Sequence, residues 1–371
     1  MRTVVGGGRE ITVRIHFRFV AVAATCGLAL TACGEAPGED GGDGGTTEAT
    51  YQACMVTDIG GIDDRSFNAS AWEGLQQAQA DNPNIEISNT PSEAEADYVP
   101  NLTGSVRDAQ CDFVLAVGGL MADATVEVAQ GHSDQQFGIV DADPGQPNVY
   151  PMQFDTTQAA FLAGYLAAGY STSGTVATYG GLPIPPVTIF MDGFADGVDY
   201  YNEQKGTEVE VLGWDKEAQE GSFTDSFTDQ SAGRSISDGF VAQGADVIMP
   251  VAGGAGLGTA DGAQATGDYV VVWVDIDGCV SAEQYCDTFL TTVVKNIPLA
   301  VQEAVLMAAD SDELLTGGFL GTLENNGVSL ADYHEFEDQI DDELKAEIEQ
   351  LREQIIAGDI EVTSPAQPGS S

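Results

Sequence analysis

Residues 54–75 read CMVTDIGGIDDRSFNASAWEGL, an apolar run that ends in Asp58 and leads through a loop into a helical pattern. The two glycines of the loop allow a sharp turn after the run, because glycine adopts backbone angles that other residues avoid. The acidic pair at 63 and 64 precedes the helical pattern, as capping residues do. The stretch predicts a buried strand, a turn and a helix, with Asp58, Phe67 and Asn68 at the strand end.

Similar units follow along the chain, and their order decides the fold class. Apolar runs predict further strands at Ile85–Asn89, Phe113–Val117, Phe137–Asp141, Val149–Phe154, Val176–Tyr179, Val209–Gly213, Val247–Val251, Tyr269–Asp275 and Phe289–Val294. Amphipathic patterns predict helices at Ser70–Ala80, Thr156–Ala168, Phe190–Glu203, Ser231–Gln243, Pro298–Ala309 and, as a charged covering helix, Asp338–Ala357. Apolar strands that alternate with helices are typical of parallel sheets covered on both faces. Because ten strands fit two sheets better than one, we expect a two-lobed α/β protein with a cleft between the lobes.

The N-terminal residues indicate export. Four arginines precede an apolar run at Phe19–Leu30, which ends in Leu-Thr-Ala before Cys33. This arrangement is typical of a secretory signal, and the run is too short for a comfortable membrane span. We predict a lipoprotein signal peptide at 1–32 with lipid on Cys33, followed by a flexible acidic tether at 33–50. The alternative is an ordinary export signal that contains a cysteine.

The charge of the chain is extreme. It has 12 lysine and arginine residues against 59 acidic ones, for a net charge of −47 at pH 7. Such a surface repels nucleic acid and anionic membranes, so we expect no nucleic-acid partner and only a lipid anchor in the membrane. We interpret the acidity as adaptation to a saline exterior.

Four cysteines remain after those of the signal and the lipidation site. Cys54 and Cys111 begin two apolar runs at equivalent positions, and Cys279 and Cys286 flank a short acidic loop. In an exported protein such pairs favour two disulfides. The rival interpretation is a metal site, but no histidine is near either pair in the sequence.

Polar residues stand where several predicted strands end. They are Asp58, Asp141, Asp275 and Lys295, and Gly254 at the end of VIMPVAGG adds bare backbone at a further strand end. In open α/β sheets the ligand lies beyond the carboxyl ends of the strands, so we expect these residues to share one site. Phe67 and either Phe223 or Phe227 supply rings that can sandwich a flat ligand.

The sequence supports a cofactor-binding protein or an enzyme less well than a protein that only binds a ligand. The segment VAGGAGLG imitates a dinucleotide-binding loop, but its glycine spacing is wrong, and a phosphate loop of the GxxxxGK type is absent from the sequence. Neither His132 nor His334 neighbours a nucleophile in a motif. We therefore predict no catalytic residues, no cofactor and no metal, and a neutral ligand.

The opening stretch closely resembles the signature of the basic membrane protein family of bacterial lipoproteins. These are substrate-binding components of ABC importers and include purine nucleoside receptors. Further matching motifs are FGIVDAD, GADVIMPVAGGAGLG, WVDIDG, TTVVKN, GTLENNGVSLADYHEF and IIAGDIEV. The resemblance covers about residues 53 to 362.

The resemblance implies a type I periplasmic binding protein fold, in which two Rossmann-like lobes with parallel sheets are joined by a multi-strand hinge. Lobe 1 is then expected at 51–154 with about 293–318. Lobe 2 is expected at 155–292 with about 319–363, including the C-terminal covering helix. We expect residues 364–371 to be a disordered tail.

The resemblance also implies roles for single residues. In the family's nucleoside receptors two phenylalanines stack on the base, acids read its edge, and an aspartate and a lysine hold the ribose. The matching positions assign stacking to Phe67 and Phe227, base contacts to Asp58, Asn68 and Asp141, a backbone contact to Gly254, and the ribose to Asp275 with Lys295. The doubled SFTDSFTD leaves Phe223 as a competitor of Phe227, and Trp273 stands where the family has a small residue.

These inferences together predict a monomeric, lipid-anchored extracytoplasmic receptor that binds a nucleoside and passes it to ABC permease and ATPase subunits. Two alternatives remain: a receptor for another flat heterocycle such as a flavin, and a ligand-gated sensor without a transport role.

Overall fold

A computed structural model describes residues 50–369 of the chain. The signal peptide, Cys33 and nearly all of the tether lie outside the described residues. The helices are α1 Phe67–Asp81, α2 Tyr98–Arg107, α3 Ala122–Gln130, α4 Thr156–Tyr170, α5 Pro185–Lys205, α6 Gln230–Val241, α7 Leu257–Thr266, α8 Gly278–Ser281, α9 Ile297–Ala309 and α10 Asp342–Ala357. Within this described range no helix has the length and apolarity that a membrane span requires.

Residues 50–369 also form fourteen strands. They are β1 Tyr51–Ile59, β2 Ile85–Ser92, β3 Phe113–Val117, β4 Gln136–Val140, β5 Val149–Phe154, β6 Thr175–Gly180, β7 Glu210–Leu212, β8 Trp214–Asp215, β9 Glu220–Gly221, β10 Val247–Val251, β11 Val270–Asp275, β12 Phe289–Lys295, β13 Phe319–Gly321 and β14 Val328–Leu330. The longer predicted strands and helices are all present within a few residues of their predicted bounds. The short β8, β9, β13 and β14 and the helices α2, α3, α7 and α8 were not among the predicted ranges.

Lobe 1 is built on a six-stranded sheet with the order β13-β5-β4-β3-β1-β2, in which every neighbouring pair is parallel. Its central strands β3 and β4 are buried along their whole length, as expected for a sheet covered on both faces. The predicted disulfide between Cys54 and Cys111 is confirmed and joins β1 to the segment that precedes β3.

Lobe 2 is built on a second six-stranded sheet with the order β14-β12-β11-β10-β6-β7. Only the β12–β14 pair is antiparallel. The packing of α4 on α5 is very close: a Cβ atom at Gly164 would lie 2.0 Å from the backbone oxygen of Phe194, so glycine is required there. The second predicted disulfide, between Cys279 and Cys286, is also confirmed, and it closes the loop between β11 and β12.

Three crossovers connect the lobes, after β5, after β12 and after β13. They form the hinge, and the α/β fold with two parallel-sheet lobes agrees with the predicted class. The lobe boundary near residue 319 differs from the expected one. Residues 319–321 pair with Met152–Phe154 as the edge of the lobe 1 sheet, because this edge would otherwise leave the backbone groups of β5 unpaired.

The expected disordered tail also differs from the structure over residues 364–369. Ser364 is buried, and its hydroxyl donates to the Asp192 carboxylate over 2.6 Å. The amide of Gln367 donates to Asp155 over 2.8 Å. Small and polar composition therefore did not mean disorder here, because the lobes supply partners for these side chains.

Candidate ligand-binding cleft

One cavity of about 610 Å³, including its mouth, lies where the carboxyl ends of the two sheets face each other. All eight predicted ligand-binding residues line it, namely Asp58, Phe67, Asn68, Asp141, Phe227, Gly254, Asp275 and Lys295. The structure thus brings together residues that are up to 237 positions apart in the chain, from Asp58 to Lys295.

Asp58 and Asn68 form a buried pair on the lobe 1 side. The side-chain amide of Asn68 donates to the Asp58 carboxylate over 3.0 Å, and both residues are buried. The other Asn68 atom, Oδ1, is buried and has no hydrogen-bond partner among the described residues. A Cβ atom at Gly118 would lie 2.3 Å from Asp58 Oδ2, so the end of β3 must be glycine for this carboxylate to fit.

Asp64 fixes the entry into α1. Its carboxylate accepts hydrogen bonds from the backbone N–H groups of Ser66, Asn68 and Ala69, at 3.1, 2.7 and 3.0 Å. This arrangement satisfies donors at the helix start and confirms the capping interpretation for Asp64. It also sets the direction in which the Phe67 and Asn68 side chains leave the helix.

Ser66 then connects this loop to lobe 2. Its hydroxyl lies 2.5 Å from Asp275 Oδ2, which it reaches as a donor. The neighbouring Arg65 donates to the backbone oxygen of Ser281 over 3.1 Å. The loop quoted at the outset therefore contacts the end of β11 as well as the cavity.

Asp141 and Lys295 form a buried ion pair between the lobes. Lys295 Nζ lies 2.6 Å from Asp141 Oδ2, with side-chain exposures of 3% and 7%. The ammonium also lies 5.0 Å from the ring centre of Phe67 and 5.4 Å from that of Phe190, distances that permit cation–π attraction. Lys295 was predicted to hold the ribose together with Asp275, and that role stays a prediction; the ion pair that the structure shows is the one with Asp141.

Carboxylates outnumber ammonium groups around the cavity. Asp58, Asp64, Asp141 and Asp275 line it, whereas Lys295 is the one lysine or arginine among its described lining residues. Burial raises the pKa of Asp58 to about 7 and that of Asp64 to about 6. Burial also raises the pKa of Asp141 and of Asp275, although the Lys295 charge acts in the opposite direction on both. The site suits a ligand that donates hydrogen bonds and carries no negative charge.

Asp141 and Asp275 occupy equivalent positions in the two lobes. Each follows or ends a central strand, and each has left-handed backbone angles, with φ of 67° and 72°. Such angles are uncommon outside glycine, although aspartate tolerates them better than most residues. The turned backbone directs both carboxylates into the cavity instead of along the sheet.

The three phenylalanines that were considered for stacking occupy different positions relative to the cavity. Phe67 and Phe227 line the cavity, and the Phe227 ring lies against the backbone of Gly181 and Gly253. Phe223 instead packs edge-on against Trp214, with ring centres 6.1 Å apart. Phe227 is therefore the residue of the doubled motif that faces the cavity.

Trp273 does not line the cavity. Its side chain is fully buried on the opposite face of β11 and packs against Phe289, with ring centres 5.3 Å apart. Successive residues of a strand face opposite sides, so Val274, not Trp273, reaches the cavity lining.

Several lining residues were not predicted. They are Asp64 and Phe190, together with Gly118, Gly119, Ile184, Pro186 and Val187. Gly118 follows the strand run FVLAV, and the same strand-end argument that found Gly254 applies to it. Ile184, Pro186 and Phe190 belong to the start of α5, which carries no polar signal.

A possible metal cluster lies outside this cavity. Side chains of Asp277, Cys279 and His334 come together there, and the His334 ring nitrogen lies 2.8 Å from Asp277. The sulfur of Cys279 is bonded to Cys286, so it offers no thiolate to a metal.

The fold and cavity define a class of protein: a two-lobed solute-binding protein of the type I periplasmic kind. In agreement, the chain superposes on an ABC transporter solute-binding protein of Aeropyrum pernix with a TM-score of 0.76. The match covers 85% of this chain and 94% of that one, at 23% identity.

The chain belongs to the Bmp family, described as PnrA-like substrate-binding proteins of ABC transporters, whose profile matches residues 51–365. It is 31% identical over 311 residues to basic membrane protein B of Borreliella burgdorferi, covering 81% of each chain. It is 28% identical over 343 residues to the ABC transporter nucleoside-binding protein BmpA of Lactococcus lactis, covering 87% of this chain and 92% of that one. The family comprises substrate-binding proteins of transporters and not enzymes.

Proposed function

We propose that the chain captures a nucleoside, preferably a purine nucleoside, in the cleft between its lobes and presents it to the permease of an ABC importer. The observation that carries the proposal is one cavity that combines three phenylalanine rings, four carboxylates and one ammonium group. Family membership supports the transport role, and similarity to the nucleoside-binding protein of Lactococcus lactis supports a nucleoside.

The proposed roles follow from the two kinds of group in the cavity, aromatic rings and polar groups that form hydrogen bonds. Phe67 and Phe227 provide faces for a flat base, and stacking on such rings is worth about 1–3 kcal/mol per base. Asp58, Asn68 and Asp141 accept hydrogen bonds from the base edge, and Gly254 contributes its backbone. The ribose hydroxyls donate to Asp275, with Lys295 beside them.

A ligand in this position contacts both lobes, and this couples binding to closure. Asp58 and Asn68 belong to lobe 1, whereas Asp275 and Lys295 end strands of lobe 2. Because the closed form then binds the ligand more tightly than the open form, the ligand shifts the population toward closure. The closed receptor is the form that the permease is proposed to recognise.

The location is part of the proposal. The sequence indicates a signal peptide with lipid on Cys33, which would tether the receptor outside the cytoplasmic membrane. We propose that it works there as a monomer. Mass spectrometry of the N-terminal peptide from cells would show the diacylglyceryl group, and a peptide that begins elsewhere without lipid would contradict the anchor.

Titration calorimetry on residues 51–371 tests the ligand class. We expect saturable binding of guanosine, inosine or adenosine and much weaker binding of the corresponding monophosphate, because the cavity carries excess negative charge. Asp275→Ala should abolish the binding without unfolding the protein. Asp312→Ala, which removes an exposed aspartate, is the matched control and should bind like the parent.

Riboflavin belongs in the same titration panel. Binding of riboflavin with no response to any nucleoside would overturn the proposed ligand and leave the receptor class in place. Unchanged affinity in Asp275→Ala would remove the ribose role from this residue.

A further inference from the structure

The C-terminal segment, defined as residues 362–369, runs back from α10 to the hinge and is firmly anchored in lobe 2. Val362 and Ser364 are buried. The Ser364 hydroxyl donates to Asp192, a fully buried carboxylate that also accepts from Trp214 Nε1 over 2.9 Å. Removing Ser364 would leave this carboxylate with one partner fewer in the protein interior.

The far end of the segment reaches the hinge. Gln367 donates to the carboxylate of Asp155, which lies in the crossover between β5 and α4. The backbone N–H of Asp155 in turn donates over 2.8 Å to Gly321, the last residue of β13, where the third crossover begins. The segment therefore ends where two of the three crossovers meet.

Beyond this contact, the segment lines a second cavity, here called the rear cavity, that shares residues with the ligand cavity. Ala366 and Pro368 line this rear cavity, whose volume is about 340 Å³ including its mouth. Asp141, Pro186 and Lys295 also line it, and the same three residues line the ligand cavity. The Asp141–Lys295 ion pair thus stands between the two cavities, and the segment lies on its rear side.

The ion pair depends on such cover. In a low-dielectric interior the attraction between the two charges is strong and little affected by salt, whereas solvent contact weakens and screens it. Side-chain exposures of 3% for Lys295 and 7% for Asp141 show that water has little access. Residues 366–369 lie just beyond residues 51–365, which the family profile matches.

We propose that the C-terminal segment forms the rear wall of the ligand site and positions the Asp141–Lys295 pair by keeping water and ions away from it. The contacts described above support the presence of this rear wall. Its effect on ligand affinity rests on the proposed function. Two measurements separate these two claims.

The first measurement needs no ligand. Thr156→Cys places a thiol at a fully buried position of the rear cavity, and all four described cysteines are in disulfides. Its labelling by a maleimide is compared in residues 51–371 and in a chain that ends at Pro365, which keeps the Ser364 anchor. We expect labelling about tenfold faster in the shorter chain, because access requires local opening.

Ser237→Cys, at a fully buried position in lobe 2, is the matched control. Its labelling should be equal in the two chains. Equal labelling of Thr156→Cys would overturn the wall. Faster labelling at both positions would overturn it too, since general loosening would then explain the result.

The second measurement compares guanosine affinity in the two chains by calorimetry at 0.1 M and 1 M NaCl. We expect the shorter chain to bind about five- to fiftyfold more weakly, a loss of about 1–2.3 kcal/mol. The ratio between the chains should grow with salt, because only the uncovered pair is screened. A ratio of one at both concentrations would overturn the positioning role. Failure of the longer chain to bind any nucleoside would instead overturn the proposed function, and the labelling result would still decide the wall.

Discussion

Replacement of Lys295 by Met tests the electrostatics of the cleft most directly. The substitution retains much of the aliphatic volume and removes the positive charge next to Asp141. Both side chains are almost fully buried and their charged atoms are 2.6 Å apart. Removing one partner from a buried pair leaves an uncompensated charge, which typically costs about 3–5 kcal/mol. We expect a loss of this size in the free energy of unfolding at pH 8.

The assay is urea denaturation of residues 51–371 at constant salt, followed by tryptophan fluorescence. The control is the double variant Lys295→Met with Asp141→Asn, which removes both charges. Because replacement of both partners by neutral groups is often close to neutral, the double variant should regain most of the lost stability. The difference between single and double variants isolates the cost of the unpaired carboxylate.

The pH dependence supplies an independent check. Burial already raises the pKa of Asp141, and loss of the Lys295 charge removes the main influence that lowers it. The folded variant then binds more protons than the unfolded chain between about pH 4 and its raised pKa, so its stability falls as pH rises through this window. The loss at pH 5 should be smaller than the loss at pH 8 by at least about 1 kcal/mol. A loss below about 1 kcal/mol at pH 8, or one that does not change with pH, would refute this reasoning.

Three further predictions concern other parts of the fold. Gly118→Ala should destabilise the protein by about 1–3 kcal/mol in urea, because its Cβ would clash with Asp58 at a φ of 117°; an unchanged midpoint would contradict this. The pKa of Asp58, about 7, lies above its unfolded value, so the parent loses stability from about pH 4 to 7. Asp58→Asn should remove that loss, and parallel stability profiles of parent and variant would argue against it. Serine at both Cys54 and Cys111 should cost about 4 kcal/mol in the free energy of unfolding, given a sequence separation of 57; serine at both Cys279 and Cys286, with a separation of 7, is the control and should cost less.

Local pattern accounts for the elements that the sequence predicted well. The runs FVLAV and VIMPV became β3 and β10 with unchanged bounds, because both are buried on both faces and contain no competing polar residues. The short strand β13 was not predicted, since its three residues gain strand pairing only from the edge of β5. An element of this kind depends on a partner that is more than 160 residues away in the chain.

In the candidate site, too, some features follow from local pattern and others depend on distant parts of the chain. Strand-end positions located Asp58, Asp141, Asp275 and Lys295, because the carboxyl ends of parallel strands meet at one edge. The partner of Lys295 could not be predicted in this way. Two aspartates stand at equivalent strand ends, and only the relative placement of the lobes puts Asp141 at 2.6 Å from the ammonium.

The sequence by itself determined the fold class, the family, the cysteine pairs and eight of the residues around the cleft, because these follow from local periodicity or from motifs of adjacent residues. The tertiary structure alone decided that Phe227 and not Phe223 faces the cavity, that Trp273 faces away from it, and that residues 364–369 are packed. These outcomes depend on which face of a strand or loop meets the other lobe. Which face packs there is decided by burial and hydrogen bonding among segments that are far apart in the chain. A local sequence pattern therefore does not predict it.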